Sequence, residues 1–272
     1  MPQICHFKTT QNDWEFSRIF GMANIKTKNI HMKRSFLFSL LTVIIFSSCH
    51  YLGGKRVHGN GNIVTRDHTV GQFQRVDVSG AIDVYIKQDS SQQPVKVETD
   101  ENLQDLIEIR ESNGVLYISP VDHYNLDPTR QLKVYVAAPL FKGFGVSGAS
   151  RLYSENKLTS SETVDIDLSG ASEMKLEIKA PRINSEVTGA SSVELKGETK
   201  DFNANGSGAS NYKCFDLMTE NTTVDISGAC SADVFASVKI DVQASGASEV
   251  KYRGAAAVTQ DVSGASGVKK VD

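Results

Sequence analysis

Histidine is absent beyond His123, and arginine in the regular C-terminal part of the chain is limited to Arg151, Arg182 and Arg253. The first absence removes the usual imidazole acid or base from that region. The second weakens any lyase chemistry that needs a charged base beside a stabilised sugar acid. Charge of one sign is also missing: 29 Lys and Arg face 32 Asp and Glu, for a formal net charge of −3. There is no basic patch to attract nucleic acid and no acidic tail. The longest apolar stretch, Ser35 to Phe46, is about a dozen residues and cannot cross a hydrocarbon core of roughly 30 Å. Of four cysteines, Cys214 and Cys230 lie in the repetitive part. They sit on neighbouring repeats but four residues out of column, an offset of about 13 Å along a strand, so both are expected as buried thiols and not as a disulfide.

What the chain has in excess is a tripeptide. Ser/Thr-Gly-Ala recurs with central glycines at Gly148, Gly170, Gly189, Gly208, Gly228, Gly246 and Gly264, separated by 22, 19, 19, 20, 18 and 18 residues on subtraction. An eighth copy, Ser79-Gly80-Ala81, stands alone upstream. A period of about 20 residues implies a stack of like coils. Counted from each glycine, the residues two before (Val146, Leu168, Val187, Gly206, Ile226, Ala244, Val262) and four after (Leu152, Met174, Val193, Tyr212, Ala232, Val250, Val268) are predominantly apolar. The odd positions are polar. Alternation at period two marks strands with one buried face. The expected fold is therefore all-β, a parallel β-helix (β-solenoid) of coils of about 18–22 residues, with glycine at a corner that needs a tight or positive-φ backbone. Neither the hexapeptide repeat nor the nine-residue calcium repeat of other solenoids is present.

Upstream, Met32-Lys33-Arg34, the apolar stretch to Phe46 and Ser47-Ser48-Cys49 resemble a bacterial lipoprotein signal, with a charged end, a short apolar segment and small residues before a cysteine. The resemblance implies cleavage before Cys49 and acylation of that residue. The expected organisation is residues 1–31 as an upstream extension outside the true reading frame start, 32–48 as signal peptide, 49–58 as lipidated N-terminus and linker, and 59–272 as the solenoid domain. Between Gly59 and Leu140 the alternation is less regular, Glu101 to Ile107 reads as one helical turn, and this region is expected to hold longer coils that cap the N-terminal end.

The opening Gly59-Asn60-Gly61-Asn62, the block Phe73 to Ile86, Val97 to Leu103, Lys133 to Pro139 and the Ser-Gly-Ala-Ser ladder together resemble the DUF2807 family, named for a putative autotransporter adhesin with a head GIN domain. Its members are common in Bacteroidetes, often as lipoproteins. The resemblance covers nearly all of the chain after Cys49. It implies a β-helix and carries no catalytic motif.

Candidate sites are therefore sought in the columns. Three before each glycine stand Asp167, Glu186, Asn205, Asp225, Gln243 and Asp261, with Asp77 upstream. A solvated polar face diluted by amides is the favoured reading. The competing one is a calcium column at Asp167, Glu186, Asp225 and Asp261, since stacked carboxylates repel and a hard cation relieves them. The same acids would serve a polysaccharide-cleaving enzyme only if two flanked a cleft at a set separation. Five after the glycines, Tyr85 and Tyr153 are too few for a glycan-stacking stripe, and the column continues as Lys175, Glu194, Lys213, Asp233 and Lys251 with alternating sign. Ser before and Ala after each glycine either form a flat strip of small groups or, if the bend shifts parity, bury the alanines. Ser two after the glycine is expected to face inward.

The expectation for function is a non-enzymatic cell-envelope lipoprotein, a structural, adhesive or ligand-binding solenoid, with a carbohydrate-active enzyme as the rival. No catalytic residue and no cofactor are expected. The expected partners are a membrane through the lipid on Cys49 and a glycan or envelope protein, with no nucleic acid. Weak end-to-end self-association is expected because the last coil leaves an edge guarded by Lys269 and Lys270. His50 follows the lipidated cysteine and the acidic export tract of surface lipoproteins is missing, so the expected location is the outer membrane, with the periplasmic face preferred over the cell surface.

Overall fold

Strands, most of them with one buried apolar face, make up the greater part of the computed structural model, which describes residues 54–272. The N-terminal part contains β1 (Lys55–His58), β2 (Ile63–His68), β3 (Arg75–Val78), β4 (Asp83–Gln88), β5 (Val95–Asp100), β6 (Ile107–Ser112), β7 (Val115–Pro120), β8 (Tyr124–Asp127) and β9 (Lys133–Ala138). The helical turn read from the sequence is a 3-10 helix, Glu101–Leu106. The C-terminal part contains β10 (Gly143–Val146), β11 (Arg151–Ser154), β12 (Leu158–Thr159), β13 (Val164–Leu168), β14 (Glu173–Val187), β15 (Ser192–Gly208) and β16 (Asn211–Cys214). It ends with β17 (Leu217–Gly228), β18 (Ser231–Phe235), β19 (Lys239–Gly246), β20 (Glu249–Arg253), β21 (Ala257–Val262) and β22 (Gly267–Lys270). The strands begin before Gly59, because Lys55–His58, read above as linker, pair in parallel with β8.

From β10 onward every pairing joins a strand in parallel to the coil above or below, as in Gly143 with Asp165, Glu173 with Ser192 and Asn221 with Lys239. Like side chains therefore stack. Val84, Leu152, Met174, Val193, Tyr212, Ala232 and Val250 form one such column, and all are fully buried. Each large apolar side chain so buried contributes about 1.5–3 kcal/mol, so the core grows coil by coil. One apolar column is broken at Gly206, and the reason lies in its own coil: a methyl there would meet Ser210 Oγ at 2.8 Å and the Tyr212 ring at 3.1 Å. The Tyr212 ring fills the space, and its hydroxyl donates to the Asn205 and Ser185 carbonyls at 2.5 and 3.2 Å.

The Ser/Thr-Gly-Ala corner has two functions in the stack. Its glycines take φ from 74° to 97°, which an L side chain tolerates poorly. They also let one coil rest on the next, the alanine N–H donating to the glycine carbonyl of the coil before, as from Ala209 to Gly189 at 2.7 Å. The serine two residues after the glycine points inward, as expected. Ser172 Oγ, for example, is buried and donates to the Ser169 carbonyl at 2.7 Å, closing the bend.

The eighth tripeptide does not stand alone. β3 and β4 lie directly against β10 and β11, Asp77 beside Gly145 and Tyr85 beside Tyr153, so Gly80 stacks under Gly148. On its other side the β3–β4 coil pairs in parallel with β7 and β9. Pro120 takes the place of the corner glycine there. Spatial order along the stack is thus β7–β9, then β3–β4, then β10–β12, and differs from chain order. β5 and then β2 add antiparallel strands beside β9, and β6 adds one beside β7.

Candidate functional site

The motif segments Gly59–Asn62 and Asp100–Asn102 meet in a hydrogen-bonded knot. Asp100, fully buried, accepts from Gly61 N–H at 2.7 Å, Thr129 N–H at 2.8 Å and Thr129 Oγ1 at 2.7 Å. Burial alone would raise its carboxyl, but the donors from Thr129 and Gly61 outweigh it and hold the group below the usual range. Asn102 accepts from Asn60 N–H at 2.9 Å and donates to the His58 carbonyl at 2.8 Å. A methyl on Gly59 would overlap the Asp100 carboxyl group. These residues tie the N-terminal strands to the stack, which is a structural task.

The acid column is aligned as read from the sequence, from Asp167 through Glu186, Asn205, Asp225 and Gln243 to Asp261. Asp77 joins it across Gly145. Because Gly143 and Gly145 have no side chains, the Arg75 guanidinium lies across them, donating to Asp77 and Asp167 at 2.8 Å each. A groove of about 480 Å³ follows this line, with Asp77, Tyr117, Asp167, Glu186 and Thr188 among its walls. A cleft bearing several acids is what the enzymatic reading asks for, but Arg75 binds two of the three. Among the described residues, no group of three or more His, Cys, Asp or Glu lies close enough to hold a metal ion.

The strand that follows the corner carries a feature that the sequence reading undercounted. Tyr135 of β9 pairs beside Tyr85, and Tyr85 beside Tyr153, so the column holds three tyrosines and then Lys175. Ring centroids are 5.3 Å apart for Tyr135 and Tyr85, interplanar angle 22°, and 5.6 Å apart for Tyr85 and Tyr153, at 34°. The first pair is stacked and the second tilted, and at these separations each ring shields part of its neighbour. The Lys175 ammonium lies 5.9 Å from the Tyr153 centroid and closes the far end. All three tyrosines are half-buried. Burial first, and then Glu98 and Glu173 respectively, push the Tyr135 and Tyr153 hydroxyls upward, so both remain proton donors at neutral pH.

Charged pairs flank this ridge. Arg151 Nε donates to Asp83 at 2.7 Å, and Lys133 lies 3.5 Å from Glu98. The Asp83 side chain is only 7 % exposed, and burial holds its carboxyl above the usual range against the pull of Arg151. A recess of about 270 Å³ opens at the Tyr135 end, between Tyr85, Tyr135, Lys87, Lys96 and Glu155.

Beyond the ridge the alternating column Lys175, Glu194, Lys213, Asp233, Lys251 is in register. Its closest ion pairs nonetheless run along strands: Lys175 to Glu173 at 2.8 Å, Lys196 to Glu194 at 3.0 Å and Lys251 to Glu249 at 2.9 Å. At the corner the alanines after glycine are exposed in every coil, so the strip of small groups exists and the alternative of buried alanines is ruled out. Cys214 and Cys230 are free and buried, as expected. Burial pushes the Cys214 thiol up to about 12. Cys49 lies outside the described residues.

The fold has solved relatives. A protein from Bacteroides fragilis described as a "putative adhesin" superposes with TM-score 0.75 at 19% identity, covering 79% of this chain and 100% of its own. A "putative adhesin" from Parabacteroides merdae gives 0.64 at 22%, covering 80% and 100%. A "putative lipid binding protein" from Parabacteroides distasonis gives 0.61 at 21%, also covering 80% and 100%. Identities this low establish the shared fold alone. Among curated proteins, none is significantly similar in sequence. The family model for "Putative auto-transporter adhesin, head GIN domain" matches residues 72–256, and the chain accordingly belongs to that family, DUF2807.

Proposed function

We propose that this chain is a non-enzymatic scaffold of the cell envelope that binds a protein partner through the tyrosine ridge. The observation that carries the reading is the row Tyr135, Tyr85, Tyr153, whose rings are braced by one another and by flanking ion pairs. Braced tyrosines lose little side-chain freedom on binding, and Tyr and Arg are enriched in the residues that dominate protein interfaces. Each ring packs against the next, leaving less free face for a sugar to stack on, which disfavours a glycan along the ridge. Lipid binding, the printed description of one solved relative, would ask for an internal cavity. Here the space between the strands is filled by the stacked columns of Val, Ile, Leu and Phe.

Anchoring through acylated Cys49, at the outer membrane and facing the periplasm, is part of the same proposal. It rests on the signal-like segment 32–49. A Cys49→Ala variant released from membranes on fractionation supports the anchor, and protease shaving of intact cells decides the side.

The binding face is tested with a photo-crosslinking phenylalanine analogue placed singly at 85, 135 and 153, and at 213 and 251 on the same sheet as controls. A discrete protein adduct confined to the ridge positions supports the proposal. Adducts at all five positions alike, or at none, reject it. Release of sugar from polysaccharide, abolished by Asp167→Asn, would instead favour the enzymatic alternative.

A further inference from the structure

Two recesses described above have charged walls, the groove along the acid column and the hollow beside Tyr135. Another, of about 480 Å³, has none. Its lining comes from the segment before β3, the loop from β4 to β5, the β6–β7 turn and the segment from β9 to β10, and no lining residue carries a charge in a chain where 22% of residues do. Its size suits a small ligand.

The walls are tied to one another. Gln92 Nε2 donates to the Gly71 carbonyl at 2.9 Å and to the Val70 carbonyl at 3.3 Å, fixing the β4–β5 loop against the segment before β3. Asp89 and Gln93 N–H donate to the Ala138 and Ala137 carbonyls at 3.1 Å each, fixing the same loop against β9. The Gln74 backbone is held on both sides, its N–H donating to the Gly114 carbonyl at 2.9 Å and its carbonyl accepting from Lys142 N–H at 2.6 Å. A recess so braced is formed before a ligand arrives.

Some of its polar groups are left free. Gln92 spends its amide nitrogen on those carbonyls, so its Oε1 remains to accept. Ser91 Oγ accepts from Gln93 Nε2 at 2.9 Å, leaving its own proton to donate. The side-chain amides of Gln72 and Gln74 are exposed and make no hydrogen bond to another described residue, and each can both donate and accept. Beside them Pro139 is exposed and Leu140 half-buried, which adds a small apolar patch.

An ion would find no counter-charge here, and an apolar ligand would leave the amides unpaired. A ring with hydroxyls at its rim and C–H bonds on its face satisfies both parts of the lining. We infer that this recess binds an uncharged sugar, as a free monosaccharide or as the end of a neutral glycan, with Gln72 and Gln74 hydrogen-bonded to its hydroxyls and Pro139 and Leu140 against its face. The site shares no lining residue with the hollow beside Tyr135. It therefore stands or falls apart from the protein-binding ridge.

The test is an array of neutral and acidic glycans probed with the full chain, followed by calorimetry on the strongest neutral hit. Neutral glycans should be retained, with an affinity that salt does not move, because no charge enters the contact. Gln72→Ala with Gln74→Ala should weaken binding at least tenfold with an unchanged circular dichroism spectrum. Gln131→Ala, at an exposed glutamine outside the recess, should leave binding intact. Competition by free glucose, galactose, mannose or N-acetylglucosamine separates the two sources: inhibition by one of them shows that a single ring fills the site, and inhibition by oligosaccharides alone shows a chain end. Retention of no neutral glycan overturns the inference. So does a preference for acidic glycans that fades with salt, or binding that survives the double substitution.

Discussion

Substituting a corner glycine in mid-stack is the most direct test of how the coils are spaced. Gly208 has φ +81°, and a methyl there would lie 2.6 Å from the Gly189 carbonyl oxygen. Placing alanine in the left-handed region costs about 1–2 kcal/mol. The contact also cannot persist, because no Cβ sits so close to an oxygen. The corner must open, stretching the 2.7 Å hydrogen bond from Ala209 to Gly189, which contributes about 1 kcal/mol. Gly208→Ala should therefore destabilise by roughly 2–4 kcal/mol, a large share of the 5–15 kcal/mol typical of a domain. Urea unfolding followed by circular dichroism measures this as a lower midpoint at constant slope. Gly267→Ala is the control, since its φ is not left-handed and a methyl meets nothing within 4 Å. Gly148→Ala should be milder than Gly208→Ala, because its nearest neighbour is a nitrogen at 3.1 Å. If Gly208→Ala and the control unfold within about 0.5 kcal/mol of each other, the corner does not set the coil spacing.

Arg151→Ala should cost about 1–3 kcal/mol at neutral pH by stranding the nearly buried Asp83 carboxylate, and Asp83→Asn in that background should recover much of it on thermal unfolding. Because Asp83 has a raised folded pKa, it binds its proton more tightly folded than unfolded, so the Arg151→Ala deficit should shrink as pH falls; a deficit that grows would refute this. Asp100 carries the opposite sign: its folded pKa is lowered, so its contribution is full above the unfolded value near about 3.9 and is lost as pH falls through the folded one. Asp100→Asn should flatten that part of the acid unfolding curve while costing about 1–2 kcal/mol at neutral pH, and an unchanged acid limb would count against the knot. The Cys214 thiol, held near 12 by burial, should resist alkylation in the folded protein and react only on unfolding, as peptide mapping after iodoacetamide would reveal.

The regular coils were legible because one residue per coil is marked. Gly189, Gly208 and Gly228 fix the register, and alternation then assigns Val193, Tyr212 and Ala232 to one inward column. The site was less legible because its parts lie where chain order and stack order part. Tyr135 joins Tyr85 at a separation of 50 residues (135 minus 85) with no tripeptide beside it. Arg75 reaches Asp167 only because β3 packs on β10 across a 68-residue register offset. The exposure of the alanines depended on how the backbone bends after glycine, which no pattern of residue types encodes. The strand-wise ion pairs were available in the sequence as Glu-x-Lys at 173, 194 and 249. They compete with the coil-to-coil ladder because alternate residues of a strand share a face.

The displaced order of the coils bears on how the chain acquires its structure. The β3–β4 coil is flanked on both sides by strands made of later residues, β7 and β9 on one side and β10 and β11 on the other. Closing the 68-residue separation between Ile82 and Ser150 costs about 1 kcal/mol more in chain entropy than closing the 19-residue separation between Ser172 and Ser191. The C-terminal coils can nucleate on local pairings, while the earlier strands must wait for them. A chain delivered N-terminus first across a membrane would then present its first strands before their partners exist. Its earliest segment would be the last to become protease-resistant.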